Sequence, residues 1–457
     1  MVLYLVSGWQ SGVWASDWQT RNCKHALLHF SFDWLPRCGR CVLATRGYAV
    51  PAAKVVFVNR FYWPDQSATS QILGDLAPRL VAAGLEVHVV TSRQRFDQPG
   101  ARLPATERIA GVQVHRVFTS TFGRDRLAGR AVDYASFYAA SGWRLLWLLR
   151  RGDVVVAKTD PPMISIMAWW AARLRGAVLV NWMQDVFPEI ATALGANPLP
   201  GWASSLVTRL RDATLRAARN NVVISLGMLQ RIAQRGVPAT RIAVIENWAI
   251  DAAREPLPTS ASQLRRGLGD SIHFVVAYSG NFGRAHEFDT LIGAAEQLRD
   301  DPQILFLMIG AGARLAYVKE QAAARGLANV RFLPHQPRAN LADALAAADL
   351  HVVTLLPGLD GLVMPSKLYG ILAAARPVLF IGEAGGSTAQ WLAHSGGGLA
   401  FGTGDIVGAA QAIRRLAAAP EECEALGRRG HEAYAQGHGP ERAALRWREL
   451  LVAAGQA

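Results

Sequence analysis

Residues 54–90 read KVVFVNRFYWPDQSATSQILGDLAPRLVAAGLEVHVV. The run Val55 to Val58 is continuously apolar and β-branched, the signature of a strand buried on both faces. A loop follows from Asn59 to Ser67. From Thr69 to Ala83 the apolar positions recur at helical spacing, and Gly84 ends the pattern. Val87 to Val90 is the next strand. Strand, loop, helix, glycine and strand in that order make a βαβ unit, which requires a parallel sheet and a right-handed crossover.

The same alternation continues outward. Val112 to Val117, Val154 to Ala157, Val178 to Trp182, Val222 to Ser225 and Ile242 to Ile245 read as further strands. Helical stretches such as Leu206 to Arg219 lie between most of them. At Asp251 to Asp270 the composition changes to proline and small polar residues, the mark of a linker. The alternation then restarts with Phe274 to Ser279, Ile304 to Ile309, Val330 to Leu333, Leu350 to Thr354, Val378 to Ile381 and Leu399 to Phe401. The reading is α/β, with two doubly wound Rossmann-like domains facing a cleft. An N-terminal extension covers 1–53, the first domain 54–250, the linker 251–270, the second domain 271–437, and a C-terminal helix 438–457. Ligands in such sheets bind outside the carboxyl ends of the strands.

A chain of 457 residues is too long for one core, so two domains fit its length. Charged residues make up 18%, which excludes a disordered chain. The net charge of +13 comes from arginine, since the lysines are only Lys24, Lys54, Lys158, Lys319 and Lys367. That balance favours anionic partners, although an arginine- and alanine-rich usage also follows from a GC-rich coding sequence. No stretch reaches the roughly 18 uninterrupted apolar residues of a membrane span. The four cysteines argue against a disulfide framework. Residues 1–50 lack any sustained period and read as a poorly ordered extension or upstream sequence. Cys23, His25, His29, Cys38 and Cys41 could supply zinc ligands, but their spacing is not that of a finger, and no metal site is assigned.

Four places carry the chemistry. The segment YSGNFGRAHEFDTL, Tyr278 to Leu291, is a strand, a glycine-rich turn and a helix. Its free backbone N–H groups at Gly280, Asn281 and Gly283, with Arg284, suit an anion, and an ordinary βα turn is the alternative. Gly310 and Gly312 follow another strand in a weaker G-x-G. Met364-Pro365-Ser366-Lys367 opens a helix, so that Ser366 and Lys367 converge on one anion. Asp185 follows the strand Val178 to Trp182, where a carboxylate either orients an acceptor hydroxyl or caps the next helix. Glu189 reads as structural. Ser67, Thr69 and Ser70 suit a helix N-cap.

These stretches together resemble a known family. Residues 54–415 are similar to GT-B-fold retaining glycosyltransferases of family 4, within it to bacterial enzymes of capsule, O-antigen and colanic-acid-type polysaccharide assembly, including the fucosamine transferase branch. The resemblance rests on FYWPDQSATSQILGDLAPRLVAAGLEVHVVTSR, NWMQDVFPE, VISLGMLQRIAQRGVPATRIAVIENW, YSGNFGRAHEFDTLI, MIGAGA, VRFLPHQPRANLADALAAADL and MPSKLYGILAAARPV, in that order. It implies that Gly310 and Gly312 lie beside the donor pyrophosphate or base, and that Pro334 and His335 touch the base. The family's two glutamates, seven residues apart, fall at Leu362 and Gly370, and its usual lysine in the glycine-rich turn falls at His286. The charge expected there moves to Arg284, and Asp360 or Glu383 is left to supply the hydroxyl contacts.

The implied activity is transfer of a sugar from a nucleoside-diphosphate sugar, UDP-linked, to a polyprenyl-diphosphate-linked glycan, without a metal. Arg284 and Lys367 would stabilise the leaving diphosphate, and Asp185 would act on the acceptor. Tryptophan and arginine in Trp143 to Arg151 and Met163 to Arg175 suit peripheral contact with an anionic membrane from its cytoplasmic face. No nucleic-acid partner is expected. A sugar-nucleotide epimerase and a non-catalytic partner subunit are the alternatives. A Rossmann dehydrogenase is disfavoured, because no G-x-G-x-x-G follows Val58.

Overall fold

The computed structural model describes residues 53–456 apart from 96–97, 99, 101, 123–126, 197–198 and 251–254. The N-terminal extension and its candidate zinc ligands lie outside the described residues. The first half of the chain is a sheet of β1 (Val55–Val58), β2 (Val87–Ser92), β3 (Thr106–Ile109), β4 (Val112–Val117), β5 (Val154–Lys158), β6 (Val178–Trp182), β7 (Asn220–Val223) and β8 (Ile242–Val244). Its spatial order is β3-β4-β2-β1-β5-β6-β7-β8, parallel except for the β3–β4 hairpin. Helices α1 (Ala68–Ala82), α2 (Leu127–Leu148), α3 (Ile164–Arg175), α4 (Glu189–Ala193), α5 (Gly201–Ala217) and α6 (Leu226–Ala233) connect the strands. Every residue of β1 is buried, as a strand covered on both faces must be. Each such side chain contributes about 1.5–3 kcal/mol.

The second half begins with the four-residue α7 (Gln263–Arg266) and continues with β9 (Phe274–Asn281), α8 (Asp289–Gln297), β10 (Ile304–Ala311), α9 (Leu315–Ala324), β11 (Val330–Leu333), α10 (Leu341–Ala346), β12 (Leu350–Thr354), α11 (Lys367–Ala373), β13 (Val378–Gly382), α12 (Ser387–Ser395), β14 (Gly398–Gly402), α13 (Ile406–Ala418), α14 (Pro420–Gly437) and α15 (Pro440–Gly455). The order β11-β10-β9-β12-β13-β14 is the doubly wound arrangement 3-2-1-4-5-6, with the direction of winding reversing between β9 and β12.

Two details differ from the sequence reading, and a third completes it. β9 does not stop at Ser279 but runs through Gly280 and Asn281, which pair with Gly310 and Ala311 of β10. The glycine-rich turn therefore starts at Phe282. The linker is already bonded to the second half: the backbone N–H groups of Gln263 and Leu264 donate to the Asp343 carboxylate at 2.6 and 3.1 Å. The last helix returns to the first half. Trp447 of α15 is buried 4.7 Å from Trp182 and 6.2 Å from Phe57, ring centroid to ring centroid.

The halves share a core in which Met183, Val186 and Met228 pack with Leu355, Leu362 and Met364. Asp185 forms a bridge with Val363, and Val186 N–H donates to the Leu362 carbonyl at 2.9 Å. Leu362, where the resemblance placed a glutamate, is buried in this seam. A leucine there is explained by its neighbours: a carboxylate would be desolvated among apolar side chains at a cost of several kcal/mol.

Candidate active site

A cleft of about 650 Å³ opens between the halves at the carboxyl ends of β9 and β12, the switch point where a doubly wound sheet takes its ligand. Ser279, Gly280 and Asn281 of β9 and Met364 to Lys367 form one wall. His335 and Arg338 contribute from the segment after β11, and Gln66, Ala68 and Gln71 from the start of α1. Apolar side chains, among them Ile72, Trp248, Leu341 and Ile371, line the remainder.

Lys367 dominates the polar wall. Its Nζ is buried and has no hydrogen-bond partner. It lies 3.5 Å from the centroid of the Tyr278 ring, and a Cβ built on Gly280 would sit 3.3 Å from it. The ring face offsets part of the desolvation, yet burial still drives the amine well below the usual lysine range. A buried donor with no acceptor costs about 1–3 kcal/mol, and its position at the floor of a cleft says what would relieve that cost: an anion. Gly280 has φ +138, a conformation favouring glycine, and its bare Cα lets the amine approach the strand.

His286 occupies the place of the family's lysine and lines the same cleft. Its Nδ1 donates to the Thr354 carbonyl at 2.7 Å, which leaves Nε2 as an acceptor. Burial first, and then Lys367, push its pKa down to about 4, so it is a neutral imidazole. Arg284 is exposed and does not line the cleft. The charge expected to pass from His286 to Arg284 is instead found on the cleft side at Lys367, with Arg338 as the other cation of the lining.

The other sequence-selected residues divide in the same way. Gly280, Asn281, His335, Ser366 and Lys367 come together at the cleft, whereas Gly283, Gly310, Gly312, Pro334 and Glu383 do not line it. Gly310 and Gly312 have a packing reason of their own, since a Cβ would stand 1.9 Å from the Gly280 carbonyl oxygen in one case and 2.4 Å from Asn281 Oδ1 in the other. Ser366 precedes α11, which at seven residues is too short to concentrate much charge at its end. Asp360 accepts from the backbone N–H of Ser387 at 2.8 Å and from its hydroxyl at 3.3 Å, and its own carbonyl takes Arg231 Nε at 2.8 Å. It is a bracket between the halves.

Asp185 lies in a separate cavity of about 20 Å³ at the ends of β5 and β6, lined also by Lys158, Asn181 and Arg211. It does not cap the next helix, whose N-cap is Pro188. Glu189 pairs with Arg211 at 2.5 Å and Arg235 at 2.7 Å, a structural role. Burial, and then the neighbouring Asp160, push Asp185 up to about 6.

Asp160 and Lys158 escaped the sequence reading. Thr69 Oγ1 donates to Asp160 Oδ2 at 2.9 Å, and Lys158 Nζ to the Thr69 carbonyl at 2.7 Å. Lys158 also sits 3.9 Å over the Trp182 ring. Thr69 is thereby turned towards Asp160, and Ser70 Oγ donates to the Asp65 carbonyl at 3.1 Å. Ser67 takes the N-cap position of α1 but makes no side-chain cap bond. The visible signal was two charged residues, Lys158 and Asp160, directly after the apolar run Val154 to Ala157.

Both halves of the chain match known families. Residues 67–248 match the glycosyl transferase 4-like domain, and residues 268–433 match glycosyl transferases group 1. The chain belongs to the GT4-type glycosyltransferases. It is 26% identical over 343 residues to WcaI of Escherichia coli K12, a glycosyl transferase assigned to colanic acid biosynthesis, covering 72% of this chain and 84% of that one. It is 29% identical over 270 residues to WbjE of Pseudomonas aeruginosa, assigned as a glycosyltransferase, covering 58% and 66%.

Among solved structures, the sucrose-phosphate synthase of Thermosynechococcus elongatus superposes with a TM-score of 0.69 at 17% identity, over 88% of this chain and 100% of that one. Anabaena HepE in complex with UDP-glucose superposes with a TM-score of 0.64 at 18% identity, over 88% and 99%. WaaG, a glycosyltransferase of lipopolysaccharide biosynthesis, does so at 0.61 and 17%, over 87% and 99%. The glycosyltransferase has the GT-B fold.

Proposed function

We propose that this glycosyltransferase is a retaining enzyme of bacterial cell-surface polysaccharide assembly. It moves a sugar from a UDP-linked donor to a polyprenyl-diphosphate-linked glycan. The observation that carries this reading is the buried, unpartnered amine of Lys367 at the switch point of the second sheet. HepE of the same fold holds UDP-glucose, and WcaI is assigned to an exopolysaccharide. Both support the donor and the pathway class. Breaking the anomeric C–O bond puts negative charge on the leaving diphosphate, which the buried Lys367 amine meets at the cleft floor. The step needs no metal, because the amine supplies the countercharge. In this reading Asp185, raised to about 6, takes the acceptor hydroxyl's proton; its backbone bridges to Val363, which lines the cleft.

UDP should raise the melting temperature, since a ligand at a hundred times its Kd adds about 2.7 kcal/mol of stability. If neither UDP nor GDP stabilises the chain, the donor reading fails. Conversion of UDP-GlcNAc with no acceptor present would instead indicate an epimerase.

The acceptor's lipid carrier has a matching surface on the first half. Helix α3 packs between α2 and α5, and their outer faces expose Trp143 (64%), Trp147 (71%) and Trp202 (75%), with Trp170 and Leu174. Arg150, Arg151, Arg173 and Arg209 are exposed on the same three-helix layer or at its ends. Exposed tryptophan beside arginine is the composition of a membrane interface. No helix among the described residues is long and apolar enough to cross a membrane, and the proposed contact is a peripheral one made by these exposed side chains on the side where the nucleotide sugar is supplied. Anionic vesicles should retain the protein at low salt, and Trp143→Ser with Trp147→Ser should release most of it. Equal retention of the double variant would refute this face.

A further inference from the structure

The cleft is well supplied with hydrogen-bond donors and poor in anions. Lys367, Arg338 and His335 line it, and among the described lining residues the sole carboxylate is Glu255. A nucleotide sugar brings two kinds of polar group. Its phosphates need donors, which the cleft has; its hydroxyl groups, themselves donors, need acceptors. A carboxylate is the strongest such acceptor, since its two oxygens can take both hydroxyls of a vicinal diol.

The other acids near the cleft are committed elsewhere. Asp360 is bonded to Ser387, Glu383 is exposed and outside the lining, and Asp185 faces the small cavity of the first half. Gly370 lines the cleft but brings no side chain, and no atom lies within 4 Å of where its Cβ would be. The wall around that opening is completed by the linker. Pro256 and Leu257 line it together with Ala373 and Ala374, and Arg376 Nη2 donates to the Leu257 carbonyl at 2.6 Å. That bond ties the linker to the end of α11 and leaves Glu255 at the rim. The rise of α11 is about 1.5 Å per residue, so the wall near Ala374 stands on the order of 10 Å from Lys367. The vicinal hydroxyl carbons of the ribose and of the transferred sugar begin roughly three to four bonds beyond the nearest phosphorus, a reach that fits within that span.

We propose that Glu255, carried by the interdomain linker, accepts the vicinal hydroxyls of the bound nucleotide sugar. This rests on the donor-cleft reading. The geometry makes the linker a part of the binding site as well as a connection.

The test measures the affinities of UDP, 2′-deoxy-UDP and UDP-glucose for the full-length chain and for Glu255→Gln, with guanosine nucleotides substituted if GDP is the binder. Loss of a charged hydrogen bond corresponds to about a tenfold change in Kd. The variant should lose about tenfold for UDP and little for 2′-deoxy-UDP if the ribose is read. It should lose about tenfold for UDP-glucose and little for UDP if the transferred sugar is read. Adding Gly370→Glu to Glu255→Gln should restore the lost preference, because the opening at Gly370 can hold a carboxylate. Because Glu255 is exposed, its melting temperature should not change. If Glu255→Gln binds all three ligands as the unaltered chain does, Glu255 has no such role. Failure of the unaltered chain to bind UDP or GDP is a different outcome, and it removes the donor-cleft reading itself.

Discussion

Lys367→Met should abolish sugar transfer and leave a folded chain that is as stable as the original or slightly more so. Methionine nearly matches the lysine stem in volume and can lie against Tyr278 as the stem does. It removes a buried nitrogen that has no hydrogen-bond partner, and burial of an unpartnered donor costs about 1–3 kcal/mol. Stability is therefore expected to hold or rise in urea denaturation. Activity moves the other way. The described cleft lining offers no second lysine, Arg284 lies outside it, and the other lining cation, Arg338, comes from the segment after β11 and not from the strand end where the amine sits. Deleting one preorganised donor at a site of developing negative charge typically lowers kcat by about 10²–10³-fold. In the proposed reading the donor also holds the ground-state diphosphate, so nucleotide affinity should fall in parallel. Wild-type turnover in Lys367→Met would overturn the assignment, as would an unfolded protein, since the fold does not need the amine.

The second large effect is the reverse kind, on folding first and function through it. Gly310→Ala should destabilise the chain by roughly 3 kcal/mol or more. Gly310 has φ +140, and its added Cβ would lie 1.9 Å from the Gly280 carbonyl oxygen and 3.3 Å from a ring carbon of Phe282. Neither contact is the far end of a flexible side chain, so β9 and β10 must separate where they pair Gly280 with Gly310. That pairing places Gly280 beside Lys367, and nucleotide affinity should fall together with the unfolding midpoint. Gly74→Ala is the control. Gly74 lies inside α1 with nothing within 4 Å of its Cβ position, and alanine there should stabilise by about 0.5–1 kcal/mol. If both substitutions behaved alike, close strand approach would not be the reason for Gly310.

The fold was legible because its signal is periodic. Continuous apolar runs such as Val55 to Val58 become parallel strands at almost the positions their composition predicts, and the glycine and proline breaks fall between them. The family followed from ordered motifs. The site was legible only in part, because which motif residue faces the cleft is decided by side-chain direction. Arg284 and His286 are two residues apart in one turn, yet the arginine is exposed and the histidine lines the cleft. Contacts between distant residues gave no local pattern at all. Thr69 and Asp160 are 91 residues apart, and neither predicts the other. Gly310 and Gly312 carried a real signal, but it was shared by two causes, phosphate approach and strand approach, and only the distance to Gly280 separates them. Glu255 was passed over because it sits in a linker, where composition reports flexibility and says nothing of what the linker crosses.

The amine under Tyr278 also makes the cleft a place where protons are exchanged. Burial favours the neutral form of Lys367 while the cleft is empty, whereas a diphosphate beside it favours the ammonium. Occupation by nucleotide then draws a proton from solvent, and release returns it. Affinity accordingly weakens as pH rises, and the measured heat of binding shifts with the ionisation enthalpy of the buffer. Each cycle of donor binding and product release would therefore raise and lower the proton affinity of this one amine.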